Sequence, residues 1–326
     1  MGKVIITKAP LRVSFAGGGT DLNEFYSKEV GSVVSTTINK YIYIFIKEYF
    51  HNKLLLRYSE IEEVDNVSDI KHPIIREALK MLNLTKGIEI NSMADIPAKT
   101  GVGSSSAFTV ALLHALHAFK GEHVSAEQLA REASHVEINL VKNPIGKQDQ
   151  YSAAYGGLNF IEFYPNESVI VTPLLCKEGT IKSLNENLMM FYTGIQRDAN
   201  SVLQEQKDKT EEKRMVLRKM KLISEELKFA LLSGDLDLFA AKMHESWLEK
   251  KSLTHQITTS LIDDYYTKAI NAGAKGGKLL GAGGGGFLLF YCERDKQDKV
   301  RIALSGLKEL SFKMDLQGSR IIYVGD

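Results

Sequence analysis

Pro97-Ala98-Lys99-Thr100-Gly101-Val102-Gly103-Ser104-Ser105-Ser106-Ala107 decides how this chain is read. Glycine and small hydroxyl residues run directly into Phe108-Thr109-Val110-Ala111-Leu112-Leu113, which reads as the first turns of an apolar helix. At such a junction free backbone N–H groups and the positive helix end converge on one point, where an anion is stabilised. Glycine admits the anion to the backbone without an intervening Cβ. Serine hydroxyls add a hydrogen bond or an oxygen ligand for Mg²⁺. Two more glycine runs occur, Ala16-Gly17-Gly18-Gly19-Thr20-Asp21 and Gly281-Ala282-Gly283-Gly284-Gly285-Gly286-Phe287. Alone, each of these reads equally well as a turn without a ligand. The middle loop is not a Walker A sequence, because no Gly-Lys-Ser/Thr closes it, and the later glycine of a dinucleotide fingerprint is missing.

The chain has 326 residues, 44% of them hydrophobic, enough for a large core and for two domains. With 41 basic and 40 acidic residues the net charge is +1, which disfavours a nucleic-acid surface. Two widely separated cysteines, Cys176 and Cys292, argue for a reducing, cytoplasmic setting rather than a disulfide scaffold. No stretch approaches the roughly 20 apolar residues of a membrane span, so no membrane partner is expected. The oligomeric state is left open, a homodimer included.

Strands are expected at residues 3–15, 32–49 (one long strand or a pair), 54–58 and 88–91. Helices are expected from Pro73 to residue 82, from the middle glycine loop to about residue 119, and from the capping box Ser125-Ala126-Glu127-Gln128 to residue 141. Residues 157–163 and 169–172 read as a hairpin, and the charge-rich residues 180–187 as the boundary between domains at 1–184 and 185–326. The second half reads as a strand at 188–193, one long helical stretch at 199–232, and helices at 236–251 and 260–272. Strands at 278–280 and 287–292, a helix at 294–307 and closing strands at 312–316 and 320–324 complete a two-layer α+β domain.

The combination carries more than its parts. Ala9-Pro10-Leu11-Arg12, then Gly-Gly-Thr-Asp, then Pro-x-x-x-Gly-Val-Gly-Ser-Ser-Ser-Ala, then Gly146-Lys147-Gln148-Asp149-Gln150, then Leu-Leu-Gly-Ala-Gly-Gly-Gly-Gly-Phe occur in order. Over nearly its whole length the chain resembles the GHMP small-molecule kinases, the superfamily of galactokinase, homoserine kinase, mevalonate kinase and phosphomevalonate kinase. The form of its first glycine segment is similar to the D-glycero-D-manno-heptose 7-phosphate kinase branch, with fucokinase-like enzymes nearby. The resemblance implies an α+β GHMP kinase fold. Its N-terminal domain would be like ribosomal protein S5 domain 2, with a left-handed βαβ crossover, and its C-terminal domain ferredoxin-like. ATP and substrate would lie between them. It also implies an ATP- and Mg²⁺-dependent kinase of the anomeric hydroxyl of a small-molecule sugar phosphate, on the way to nucleotide-activated heptose for surface polysaccharide.

Carried over residue by residue, Arg12 and Asp149 fill the catalytic positions. Gly101, Val102, Gly103, Ser104, Ser105 and Ser106, with Gly283 and Gly284, fall where the nucleotide binds. Ser105 and Glu137 match the Mg²⁺ ligands, and Asp21, beside Gly18, Gly19 and Thr20, matches the sugar-binding aspartate. The chemistry is coherent in itself. Phosphoryl transfer needs positioning, charge neutralisation and an oriented hydroxyl. Asp149 can accept or orient the hydroxyl proton, Arg12 can stabilise charge on the γ-phosphoryl group, and Ser105 and Glu137 offer hard oxygen ligands. The alternatives are a helix N-cap for Asp149 and a solvated helix carboxylate for Glu137. Galactokinases carry Glu-His where this chain has Gly18-Gly19, so both glycines are expected to open room for a seven-carbon sugar with a phosphate tail. Arg197 leads the candidates for that phosphate, ahead of Lys8 and Lys147; local pairing at a helix start is its alternative role. An unphosphorylated hexose or fucose is the competing substrate, and a non-catalytic sugar and ATP sensor the competing class. Arg12 and Asp149, both present, argue against the sensor. His114 and His117 share a helix but are expected to lack carboxylate company, and so not to hold zinc.

Overall fold

The computed structural model describes residues 3–196 and 199–325. The chain opens with β1 (Val4–Ala16), α1 (Asn23–Tyr26), β2 (Gly31–Glu48), β3 (Leu54–Arg57), β4 (Ile61–Val64), α2 (Pro73–Met81) and β5 (Ile88–Ala94). Next come α3 (Ser104–Phe119), α4 (Ala126–Ser134), α5 (Gln148–Tyr155), β6 (Leu158–Phe163), β7 (Val169–Pro173) and α6 (Glu178–Asn187). The second half begins with β8 (Leu188–Tyr192), α7 (Ala199–Asp208), α8 (Arg214–Ser233), α9 (Leu236–Lys251) and α10 (Ser260–Asn271). It ends with β9 (Gly276–Leu279), β10 (Phe287–Tyr291), α11 (Gln297–Ala303), β11 (Lys308–Glu309), β12 (Met314–Asp315) and β13 (Arg320–Gly325).

Nine strands form the first sheet, with the path β13-β1-β2-β5-β3-β4 and with β6, β7 and β12 branching from it. The 18 residues of β2 are one strand because its two ends serve different partners. Gly31 to Thr36 pair with β6, Ile42 to Glu48 with β5, and β1 runs alongside both. The second sheet has the order β11-β8-β10-β9, with α7 to α10 between β8 and β9 and α11 between β10 and β11. That is the βαββαβ arrangement expected of a ferredoxin-like unit.

Helix α3 is apolar nearly all round, and Ala107, Val110, Ala111, Leu112, Leu113 and Leu116 are all at 0% exposure, as suits a helix at the centre of a core. Its N-cap is Gly103 at φ 73°, a left-handed conformation in which a Cβ would also stand 3.0 Å from Arg12 Cγ. Glycine is therefore required here for both conformation and space.

Several elements differ from expectation. The stretch 199–232 is two helices, broken at residues 209–213, where Thr210 Oγ1 bonds back to the Gln206 carbonyl at 3.0 Å. The capping box is half made: Ser125 Oγ accepts from Gln128 N, but the Gln128 side chain donates to Glu132 rather than back to the cap. The same helix passes into a π segment at His135–Leu140. The charged stretch expected as a boundary is helix α6. The closing strands, expected in the second unit, instead pair with the first sheet, β12 with β2 and β13 with β1. The reason is an edge: without β13 the start of β1 would present unpaired backbone groups. Residues 314–325 thus extend the first sheet, and β11 closes the second sheet in their place.

His117 on α3 also differs. Its side chain is buried, yet Nε2 meets Glu132 Oε2 and Nδ1 meets Glu122 Oε2, each at 2.7 Å. These bonds, Glu132 first, raise its pKa above the usual imidazole value against the opposing effect of burial. His114 instead bonds Ser319 Oγ at 2.9 Å, and burial lowers it to about 4. A raised folded-state pKa contributes stability that is complete below the unfolded value of 6.5 and is lost as pH rises through the folded value. We predict that the difference in Tm between wild type and His117→Gln is larger at pH 6 than at pH 9. A gap that widens with pH in thermal melts would contradict the pairing.

Candidate active site

The glycine loops meet because their backbones touch. A Cβ on Gly281 would lie 2.4 Å from Gly101 Cα, and one on Gly286 would lie 2.3 Å from the Thr100 carbonyl oxygen. The second and third loops are thereby pressed together, and β1 delivers Arg12 against both. Arg12 Nε and Nη2 donate to Asp149 Oδ1 and Oδ2, each at 2.6 Å, and Nη1 donates to the Gly101 carbonyl at 2.6 Å. The Arg12 backbone N–H donates to Val102 O at 3.0 Å. This two-pronged fork fixes the Asp149 carboxylate, in the first turn of α5, at the edge of a cleft.

The cleft holds about 650 Å³ and is lined from both halves of the chain. Arg12, Gly18, Gly19, Asp21, Gly101, Gly103, Ser104, Ser105, Ser106 and Asp149 all line it, so most of the residues expected from sequence converge. Asp21 is buried, with Oδ1 accepting from Gly19 N at 2.9 Å and Oδ2 from Gln148 Nε2 at 3.0 Å. Burial first, then the negative Asp149, push its carboxyl above the usual carboxylate value. Gly146 must be glycine beside it, since a Cβ there would stand 2.0 Å from Asp21 Oδ2.

Other expected residues stand back from the cleft. Val102 is buried and holds Arg12 through its carbonyl. Thr20 is buried, and its hydroxyl closes the first glycine loop onto Gly17 O and Ser32 O. Glu137 lies behind Ser105, at 0% exposure, on the π segment. It accepts 2.6 Å bonds from Ser105 Oγ and Gln150 Nε2, while burial raises its pKa. Its alternative as a solvated carboxylate is thereby removed. Gly283 and Gly284 do not line the cleft. A Cβ on Gly283 would be 2.7 Å from Ile257 Cα, and Gly284 N donates to Ile257 O at 2.8 Å, so these glycines serve packing while Gly281 and Ala282 face the cleft. Lys147 does not line it either, being paired with Glu167 and set over the Tyr26 ring. Lys8 lies over the Tyr41 ring. Arg197 lies outside the described residues; just after it, Asn200, Leu203 and Gln206 of α7 line the cleft.

Gly18 and Gly19 differ from each other. A Cβ on Gly18 would meet nothing nearer than Gln148 Nε2 at 3.7 Å, whereas one on Gly19 would be 3.0 Å from Leu217 Cδ2. Only Gly18 opens room; Gly19 accommodates α8. Sequence reading missed two buried lysines in the lining, Lys250 and Lys278. A signal existed: Met243, Trp247 and Lys250 share the buried face of α9 at helical spacing.

The arrangement can hold an anion at the α3 N-terminus, with Gly101 and Gly103 keeping the cradle clear of side chains, next to a carboxylate able to accept a proton. An apolar end formed by Tyr58, Ile74, Ile96 and Phe108 suits a flat ring. Among the described residues no group of three or more His, Cys, Asp or Glu could hold a metal ion. Mg²⁺ at Ser105 and Glu137 would therefore need phosphate and water oxygens to complete its shell, which is its usual habit. No helix among the described residues is long and apolar enough to cross a membrane.

Comparison with known proteins agrees with this geometry. The GHMP kinases N terminal domain matches residues 71–157, and the GHMP kinases C terminal domain matches residues 227–307. The D-glycero-alpha-D-manno-heptose 7-phosphate kinase of Campylobacter jejuni is 30% identical over 96% of this chain and 96% of its own. The galactokinase of Pyrococcus furiosus is 23% identical over 93% of each chain. The crystal structure of a D-glycero-D-manno-heptose 1-phosphate kinase from Bacteroides thetaiotaomicron superposes with a TM-score of 0.82 at 26% identity, covering 99% of this chain and 100% of that one. With the relatives matched end to end and the glycine loops gathered around a fixed carboxylate, the chain belongs to the GHMP kinase family and is an ATP-dependent kinase.

Proposed function

We propose that this sugar kinase of the GHMP family transfers the γ-phosphoryl group of ATP to the anomeric hydroxyl of D-glycero-D-manno-heptose 7-phosphate, giving the 1,7-bisphosphate. The observation that carries the reaction type is the Arg12–Asp149 fork, held at 2.6 Å directly beside the anion cradle of residues 101–106. Asp149 takes the acceptor hydroxyl's proton or orients its oxygen. Of the five N–H donors of a guanidinium, three are used on Asp149 and Gly101, leaving two to face the transferring group. Mg²⁺ held by Ser105 and Glu137 would neutralise phosphate charge. For the sugar, the support is the open space at Gly18 and the 30% identity to a heptose 7-phosphate kinase. Arg197 is assigned to the substrate's phosphate. One observation favours an unphosphorylated sugar instead: Lys147, a candidate for that phosphate, is already paired with Glu167.

Two outcomes test this reading. Asp149→Asn should lower kcat by about 10²–10⁴-fold, the usual scale for a lost proton acceptor, with little change in nucleotide affinity. Retention of near wild-type kcat would remove Asp149 from the mechanism. In an ADP-release assay with ATP and Mg²⁺, wild type should prefer the 7-phosphorylated heptose over the free heptose, fucose and galactose. Arg197→Ala should cost roughly ten- to hundredfold in kcat/KM on the phosphorylated sugar, the scale of a lost charged hydrogen bond, and little on the free sugar. Equal losses on both, or a wild-type preference for a free hexose, would replace the heptose-phosphate reading with a hexokinase-type one.

A further inference from the structure

Lys250, at the end of α9, and Lys278, in β9, line the cleft while only 7% and 3% exposed. Each amine donates to one backbone carbonyl, Lys250 to Gly281 and Lys278 to Phe15 at 3.0 Å. Among the described residues neither has another hydrogen-bond partner or a carboxylate within 4.0 Å. An ammonium carries three donors, so two on each remain. Beside them Ser14 Oγ is buried without a partner and also lines the cleft.

The position of these groups narrows what they can meet. Gly281, which accepts from Lys250, abuts Gly101, and the Gly101 carbonyl accepts from Arg12 at 2.6 Å. Phe15, which accepts from Lys278, follows Arg12 and Ser14 on β1. The charged groups facing Lys250 are Arg12, Lys278, Asp21 and Asp149. Arg12 is committed to Asp149, and both oxygens of Asp21 are bonded within its own loop and to Gln148. With both lysines protonated, positive charge would exceed negative charge in a place where burial makes it costly, and burial, with Lys250 and Arg12, lowers the Lys278 amine well below the usual lysine range. The cost appears in Lys250 itself, whose pKa is lowered to about 8 by burial and by Arg12. An anion arriving in the cleft relieves it. The anion that passes between the 101–106 cradle and Asp149 is the phosphoryl group in transfer. A phosphate at the far end of a sugar whose reacting hydroxyl lies on Asp149 is held away from this floor by the length of the sugar.

We propose that Lys250, supported by Lys278, is a further catalytic residue that binds the oxygens of the transferring phosphoryl group. Its ammonium takes up charge as the bond from the γ-phosphorus to the ADP oxygen breaks and the bond to the acceptor oxygen forms, while the hydroxyl proton goes to Asp149. The proposal stands on phosphoryl transfer at Asp149, whichever sugar is the acceptor.

Lys250→Met keeps an unbranched side chain one atom shorter and removes its charge. With the best sugar substrate, kcat should fall by about 10²–10³-fold, the scale of one lost oxyanion donor, with KM for the sugar within about threefold. Binding of inorganic sulfate, read as the rise in Tm with sulfate concentration in the absence of nucleotide and sugar, should weaken at least about tenfold. In wild type that sulfate affinity should also decline from pH 7 to pH 9.5, a range in which sulfate keeps its charge, and in Lys250→Met it should not. The ligand-free Tm of the variant should equal or exceed wild type. A kcat within twofold of wild type, or an unchanged sulfate affinity, overturns the proposal. So does a large fall in ligand-free Tm, with Lys278→Met behaving alike, which would assign both lysines to tying the two halves together.

Discussion

The Arg12–Asp149 fork is the contact on which the rest of the site depends. It joins three elements that share nothing in sequence: β1, the loop entering α3, and the first turn of α5. Three bonds of 2.6 Å consume most of the guanidinium and leave the carboxylate one allowed orientation. That geometry explains the glycines around it better than any general need for flexibility. Gly103 has no room for a Cβ beside Arg12, Gly101 none beside Leu280, and Gly146 none beside Asp21. Gly103 and Gly146 let a functional guanidinium or carboxylate approach a backbone that a methyl group would push away, and Gly101 does the same for the Leu280 backbone.

The second half of the chain completes the cleft. Helices α7 and α9, strand β9 and the loop at Gly281 add Asn200, Leu203, Gln206, Lys250 and Lys278 to its wall. The two halves are fastened by backbone contact between glycine loops, by Lys278 reaching the Phe15 carbonyl, and by the return of β12 and β13 to the first sheet. Charge is distributed unevenly within this wall: buried acids, Asp21 and Glu137, are each satisfied by neighbouring donors, whereas the buried amines keep donors to spare.

Local features were the legible ones. The glycine-serine entry to α3 and the strand character of β1 and β2 follow from short-range chemistry, whereas Arg12, Asp21 and Asp149 are singled out by the resemblance to the GHMP kinases. They gather at one cleft as expected. What escaped reading depends on contacts far apart in sequence. Gly283 and Gly284 look identical to ligand-binding glycines until Ile257 is placed against them. Gly18 and Gly19 are adjacent and chemically the same, yet only one faces open space, because Leu217 comes from 198 residues away to meet the other. The edge of β1 that recruits β13 cannot be seen in the terminal residues themselves. The two amines of the cleft floor were hidden differently: lysine on a helix or strand is usually solvated, and only the apolar residues sharing its face mark Lys250 as buried.

The central claim is that phosphoryl transfer takes place between the α3 entry loop and the Asp149 carboxylate. A crystal structure with a non-hydrolysable ATP analogue, Mg²⁺ and the preferred sugar tests it most directly. The account predicts the triphosphate on the backbone of residues 101–106, with the acceptor oxygen within hydrogen-bond distance of Asp149 and in line with the γ-phosphorus. A nucleotide seated elsewhere, or a sugar hydroxyl presented to some other base with Asp149 still closed on Arg12 and out of reach, would contradict it.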